Sequence, residues 1–154
     1  MPSSVPSSGP LSLKDLHDDF RRYPETNPTN ISLGSLIDDF LCENPTNQLI
    51  SSFHGATYLK PFIISTLARF NVADSCEVPR PNFGGKGATV VYHNGTTTNP
   101  AVGDTIYTSY KGFNGSSCSN TTFSSVGKQI FFRMDNGKVA EVRNTGVVLS
   151  VNNC

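Results

Sequence analysis

The sequence predicts a mainly β protein, in which a small antiparallel β-sandwich or barrel-like C-terminal domain follows a short-helix N-terminal appendage. Three observations lead there. From about residue 88 the chain is made of β-branched and aromatic segments cut by Asn-Gly and Gly turns. No helix-length periodic segment separates them, which argues against a parallel α/β arrangement. Near the N-terminus, LSLKDLHDDF from Leu11 returns as ISLGSLIDDF from Ile31, with apolar residues at helical spacing.

Taken in order, MPSSVPSSGP is Pro/Ser/Gly-rich and should run extended, ordered only against another surface. It has neither a basic stretch nor an apolar core, so it does not read as a signal peptide. Ser12 then suits an N-cap, with Asp15 three residues on as its capping-box partner. Leu11 and Leu16 have the spacing of a hydrophobic staple, and Leu13, Leu16 and Phe20 fall on one helical face. The second copy repeats this with Ser32 as cap, Ile31 and Leu36 as staple, and Leu33, Leu36 and Phe40 as the stripe. A fainter third unit starts near Asn47, with Leu49 and Phe53 four apart.

Helices under ~12–15 residues are marginal in water, so each stripe needs a surface to receive it. Two surfaces qualify: the rest of this chain, or a neighbouring subunit. The polar spacer RRYPETNPTN is longer than a compact helical hairpin requires and favours the neighbour. Leu11, Leu13, Leu16, Phe20, Ile31, Leu33, Leu36 and Phe40 are therefore the candidate partner-anchoring residues. This divides the chain into an extended and short-helix anchoring segment (1–60), a linker and lead-in strand (61–87), and an antiparallel β domain (88–154).

The linker mixes an apolar run, PFIISTLARFNVA, with the Pro-rich EVPRPNF. In the β domain, ATVVYHNGTTTNP predicts a strand, an Asn94-Gly95 turn and a second short extended piece. Gly103-Asp104 makes a turn into a strand over 105–110. Strands over 129–134 and 138–142 flank Asn136-Gly137, and a last one covers 146–151, giving five or six strands in all.

Chemistry is sparse by comparison. With 12 basic and 12 acidic residues the net charge is +0, which leaves no electrostatic footprint for nucleic acid. No apolar run reaches the roughly 20 residues of a membrane span, so a soluble protein is expected. His17-Asp18-Asp19 reads as the solvated face opposite the Leu/Phe stripe, while His54 and His93 fall beside turns. Spacing yields no Ser/His/Asp or Cys/His arrangement and no paired carboxylates in the β half. NFGGKGAT does not satisfy the phosphate-loop pattern, and no C-x-x-C pair suggests zinc. Four Asn-x-Ser/Thr sequons are best explained by chance in a chain so rich in these residues. No enzyme activity, metal or cofactor is expected.

Both ends carry a resemblance. The blocks Ser8-Gly9-Pro10-Leu11-Ser12-Leu13 and Asn30-Ile31-Ser32-Leu33 resemble a Ser-Gly-(Pro/Ala)-Ile-Ser-Leu repeat near the N-termini of tailed-bacteriophage structural proteins. The β half resembles a small module at the C-terminal ends of phage virion proteins. The matching residues are Cys76, Tyr92-His93-Asn94-Gly95, the stretch from Pro100 through Gly103-Asp104 to Ile106-Tyr107, Gly137-Lys138-Val139, and Cys154. An additional EVRNTGVVLSVNNC follows, so either Gly137 or Gly146 stands for the family glycine.

The resemblance implies a non-enzymatic structural component of a tailed-phage virion, in the neck, tail, baseplate or fibre attachment. It would be assembled in the host cytoplasm and held by its N-terminal helical pegs. Its partners would be other virion proteins and further copies of itself, as a trimer or ring. The alternatives are a receptor- or glycan-binding tip, with a host surface glycan as partner, or a capsid decoration protein. Within TSYKGFNGSSCSNTTFSS, the residues Tyr110, Phe113 and Asn114 form the candidate recognition loop, against a plain irregular loop. Cys42, Cys76, Cys118 and Cys154 allow three complete pairings. A Cys76–Cys154 bridge closing the ends of the β domain is favoured, with four reduced thiols in a reducing cytoplasm as the alternative.

Overall fold

The computed structural model describes residues 3–13, 16, 54–55, 57–109, 121–124 and 129–154. Among them are strands β1 (Ser3–Ser4), β2 (Thr57–Tyr58), β3 (Lys60–Ser65), β4 (Ala88–His93), β5 (Ile106–Ser109) and β6 (Thr121–Thr122). They are followed by β7 (Ile130–Arg133), β8 (Val139–Val142) and β9 (Val148–Asn152). One helix, α1 (Val72–Glu77), lies between β3 and β4. The protein is mainly β, and every strand pair is antiparallel.

Strands β3-β4-β5-β6 form one sheet and β7-β8-β9 a second. Isolated bridges stitch them together at two corners, Ile64 with Met134 and Thr105 with Val147. Ile106 shows the second corner closing: its N–H donates to the Gly146 carbonyl at 2.8 Å, and its own carbonyl accepts from Phe123 at 2.9 Å. The result is barrel-like. Its interior holds Phe62, Ile64, Val91, Ile106, Phe132, Met134, Val142 and Val148, all at most 5% exposed. Phe123 packs edge-on against Phe132 at 5.3 Å.

Gly146 explains why the corner can close so tightly. A Cβ there would lie 2.8 Å from Thr122 Cγ2 and 3.0 Å from the carbonyls of Ile106 and Phe123, and its φ of +88° suits glycine alone.

β3 sits in the stretch read as linker and lead-in strand, and it pairs with β4 over its full six residues. Its near-continuous apolar run is buried on both faces, from Pro61 to Ser65. Phe62 and Ile64 enter the barrel interior, whereas Ile63, buried to 2%, alternates to the other side.

α1 was not foreseen, although Asn71 ahead of Val72 and Asp74 in the first turn spell a capping pair. Asp74 N–H donates to Asn71 Oδ1 at 2.8 Å, and Asn71 Nδ2 donates to Asp74 Oδ2 at 2.8 Å. Arg133 on β7 donates to the Cys76 and Val78 carbonyls at the helix C-terminus, fixing α1 against the second sheet. Cys76 is bonded to Cys154 with their Cα atoms 5.5 Å apart, so the last residue is fastened to α1.

The N-terminus returns to its own chain. β1 pairs with β2, Val5 is buried to 3%, and Gly55 N–H donates to the Pro6 carbonyl at 3.2 Å. Leu16 N–H donates to the Ser12 carbonyl at 3.1 Å, a hydrogen bond of helical spacing.

Candidate functional site

Two of the stretches that carry the β-half resemblance, Tyr92-His93-Asn94-Gly95 and Pro100 through Tyr107, lie in and beside the loop 94–105, which joins β4 to β5, whereas Cys76 and Cys154 lie at α1. An Asn-Gly pair between strands predicts a two-residue hairpin, but the chain does not turn back there. Asn94 Oδ1 instead accepts from Thr105 N–H at 2.8 Å, so the strands rejoin only after a long excursion. Gly95 has no room for a side chain: a Cβ would lie 2.0 Å from Asp104 Oδ2. That carboxylate accepts from Ala101 N–H at 2.8 Å, and the Asp104 carbonyl accepts from Val148 N–H on β9 at 2.8 Å.

His93 stands at the centre with no exposed surface. Gly95 N–H donates to its Nδ1 at 3.2 Å, which makes Nδ1 an acceptor and leaves the proton on Nε2, facing the Thr98 carbonyl at 3.4 Å. Phe62 packs edge-on to the imidazole at 5.3 Å. Burial pushes the imidazole below its ordinary value of 6.5, against opposing pulls from Asp104 and the Thr98 carbonyl. Asp104 Oδ2 lies 3.5 Å from Nδ1, so a protonated ring would find a partner there only by giving up the Gly95 contact.

Further ties pin the same loop. Lys60 Nζ donates to the Thr96 carbonyl at 2.6 Å, and Asn99 Nδ2 donates to Asp135 Oδ1 at 2.6 Å. So held, the loop forms one wall of an open pocket of about 450 Å³, which the turn 136–138 and Val151 of β9 complete. Thr98, Asn136 and Lys138 are among its polar lining residues, and Val102 and Val151 among its apolar ones. Among the described residues no cluster of His, Cys, Asp or Glu could hold a metal ion. No described helix is long and apolar enough to cross a membrane.

Of the anchoring residues, Leu16 is buried to 1% within this chain, so its side chain is covered before any partner arrives. Leu11 and Leu13 are half-buried. Phe20, Ile31, Leu33, Leu36 and Phe40 lie outside the described residues, as do Tyr110, Phe113 and Asn114 of the recognition loop. The pocket is what sequence reasoning missed. Its signal was the polar run TTTN and the NGK turn, but nothing in their spacing says that they adjoin. Comparison with protein-family models, curated proteins and solved structures finds no match.

Proposed function

We propose that this chain is a non-enzymatic structural component of a tailed-phage virion, a neck, tail, baseplate or fibre-attachment protein. In this reading the barrel is a rigid body, and the N-terminal helical stripes fasten it to other virion proteins and to neighbouring copies. The observation that carries the reading is the convergence around His93. The Tyr-His-Asn-Gly and Gly-Asp motifs that resemble the phage module act together as a lock joining β4, β5 and β9. His93 and Asp104, the pair with most chemistry to offer, direct polar atoms to backbone groups of that lock, which supports a structural role.

Burial of Leu16 shapes how the anchor works. The first stripe is partly committed to its own chain, which leaves Leu11 and Leu13 with surface to share. The second stripe, on its polar tether of ten residues spanning up to about 33–36 Å, is the one able to reach a neighbour. Docking through a tether is effectively intramolecular, so two weak contacts can hold firmly.

The test introduces Leu13→Asp and Leu36→Asp, singly and together, into the genome that encodes the chain. The chain is expected to co-purify with particles at fixed stoichiometry. Leu36→Asp should abolish incorporation while the barrel keeps its cooperative unfolding transition. Undiminished incorporation of the double variant, or absence of the wild-type chain from particles, would sink the proposal.

A further inference from the structure

We infer that residues 95–97 form an acid-released flap, latched to His93 while its ring is neutral and let go when the protonated ring bonds Asp104 instead. The inference stands apart from the virion reading, since it rests on the surroundings of His93 alone.

One ring nitrogen has two partners that exclude each other. Nδ1 accepts from Gly95 N–H at 3.2 Å and lies 3.5 Å from Asp104 Oδ2. A neutral ring serves the amide but not the carboxylate, because its one proton sits on Nε2. An imidazolium serves the carboxylate but not the amide, because Nδ1–H would then face N–H. The charge-assisted bond to Asp104 is the stronger of the two, so protonation passes Nδ1 from one partner to the other.

The rest of the loop stays where it is. Asn94 Oδ1 accepts from Thr105 N–H at 2.8 Å, and Asn99 Nδ2 donates to Asp135 Oδ1 at 2.6 Å. The Thr98 carbonyl, 3.4 Å from Nε2, faces a donor in both states. Release is therefore bounded to three residues, of which Gly95 is buried while Thr96 and Thr97 are already exposed. Thr97 lines the open pocket, so release reshapes one of its walls.

Two charged groups act on the ring. Burial is the largest influence and disfavours the imidazolium; Asp104 on the loop favours it, and Lys60 on β3 opposes it. Phe62, also on β3, packs edge-on and brings no charge. The exchange accordingly falls below the ordinary histidine value of 6.5. Lys60 Nζ also donates to the Thr96 carbonyl at 2.6 Å, so a positive ring repels the ammonium that holds the flap's second residue.

The experiment titrates the full chain by NMR from about pH 7.5 to about pH 5, following the His93 ring together with amide protection factors. Gly95 should lose protection at the midpoint where the ring charges. Gly103, Thr105 and Val148, whose acceptors do not involve the ring, should keep theirs. Asp104→Asn retains an oxygen for Ala101 N–H but not the charge, and should move the midpoint down by about one pH unit. Lys60→Gln should move it up. The inference fails if the ring stays neutral throughout, or if it charges while Gly95 remains protected. It also fails if all four amides lose protection together, which would mark global unfolding, or if either variant does not move the midpoint in the stated direction.

Discussion

His93 is buried where an imidazolium would be costly, and its neutral form is the one that accepts from Gly95 N–H. Its folded-state affinity for a proton is therefore below that of the unfolded chain, where the ordinary value of 6.5 applies. The unfolded state binds more protons in that window, so stability rises with pH there and is lost as pH falls through 6.5 and below. Urea midpoints of the wild type should drop between pH 7.5 and 5.5, and His93→Gln should flatten that drop while lowering stability at both values. An equal slope in both proteins would mean that His93 does not set the acid response. Gly95 gives a second prediction at this scale. Adding a methyl where Asp104 Oδ2 lies 2.0 Å away should cost about 1–3 kcal/mol in Gly95→Ala. In an Asp104→Ala background the same change should cost distinctly less, because the colliding carboxylate is gone. Equal costs in the two backgrounds, measured by denaturation, would refute that account.

At the scale of elements, the turns decide more than the strands. Asn136-Gly137 makes the hairpin its sequence announces, with Gly137 at a φ of +85° between β7 and β8. The same dipeptide at Asn94-Gly95 does not, because Asn94 and Asp104 spend their side chains on the backbone of a longer loop. α1 is the converse case. It has only six residues, too few to persist unaided, and it exists because Asn71 caps it and Arg133 and Cys76 tie down its far end. Asn71→Ala should therefore cost about 1 kcal/mol in urea unfolding. Arg133 still holds the C-terminal turn, so the helix should shift at its N-terminus alone. Loss of amide protection throughout 72–77 in that variant would show that the cap, not the docking, maintains the helix.

For the whole molecule, the Cys76–Cys154 bond closes a loop with a sequence separation of 78 residues, and most of the barrel lies inside it. In the chain-entropy account such a closure is worth about 4–5 kcal/mol. The paired Cys76→Ser and Cys154→Ser variant should lose stability on that scale under oxidising conditions. Under reducing conditions it should match the reduced wild type, and a difference of more than about 1 kcal/mol there would point to serine packing instead. The amino-acid sequence by itself determined the fold class, the strands β4, β5, β7, β8 and β9, and the Asn136-Gly137 hairpin. Each of these is written within a few neighbouring residues, as a side-chain period of two or as a turn chemistry. Tertiary structure alone decided that β3 belongs to the barrel, that Ile64 meets Met134 and Thr105 meets Val147, and that Asp104 fills the space beside Gly95. It also brought Thr98 and Lys138 to one pocket. Such meetings depend on which apolar faces can be buried together when the sheets close, and no local window of sequence contains both partners.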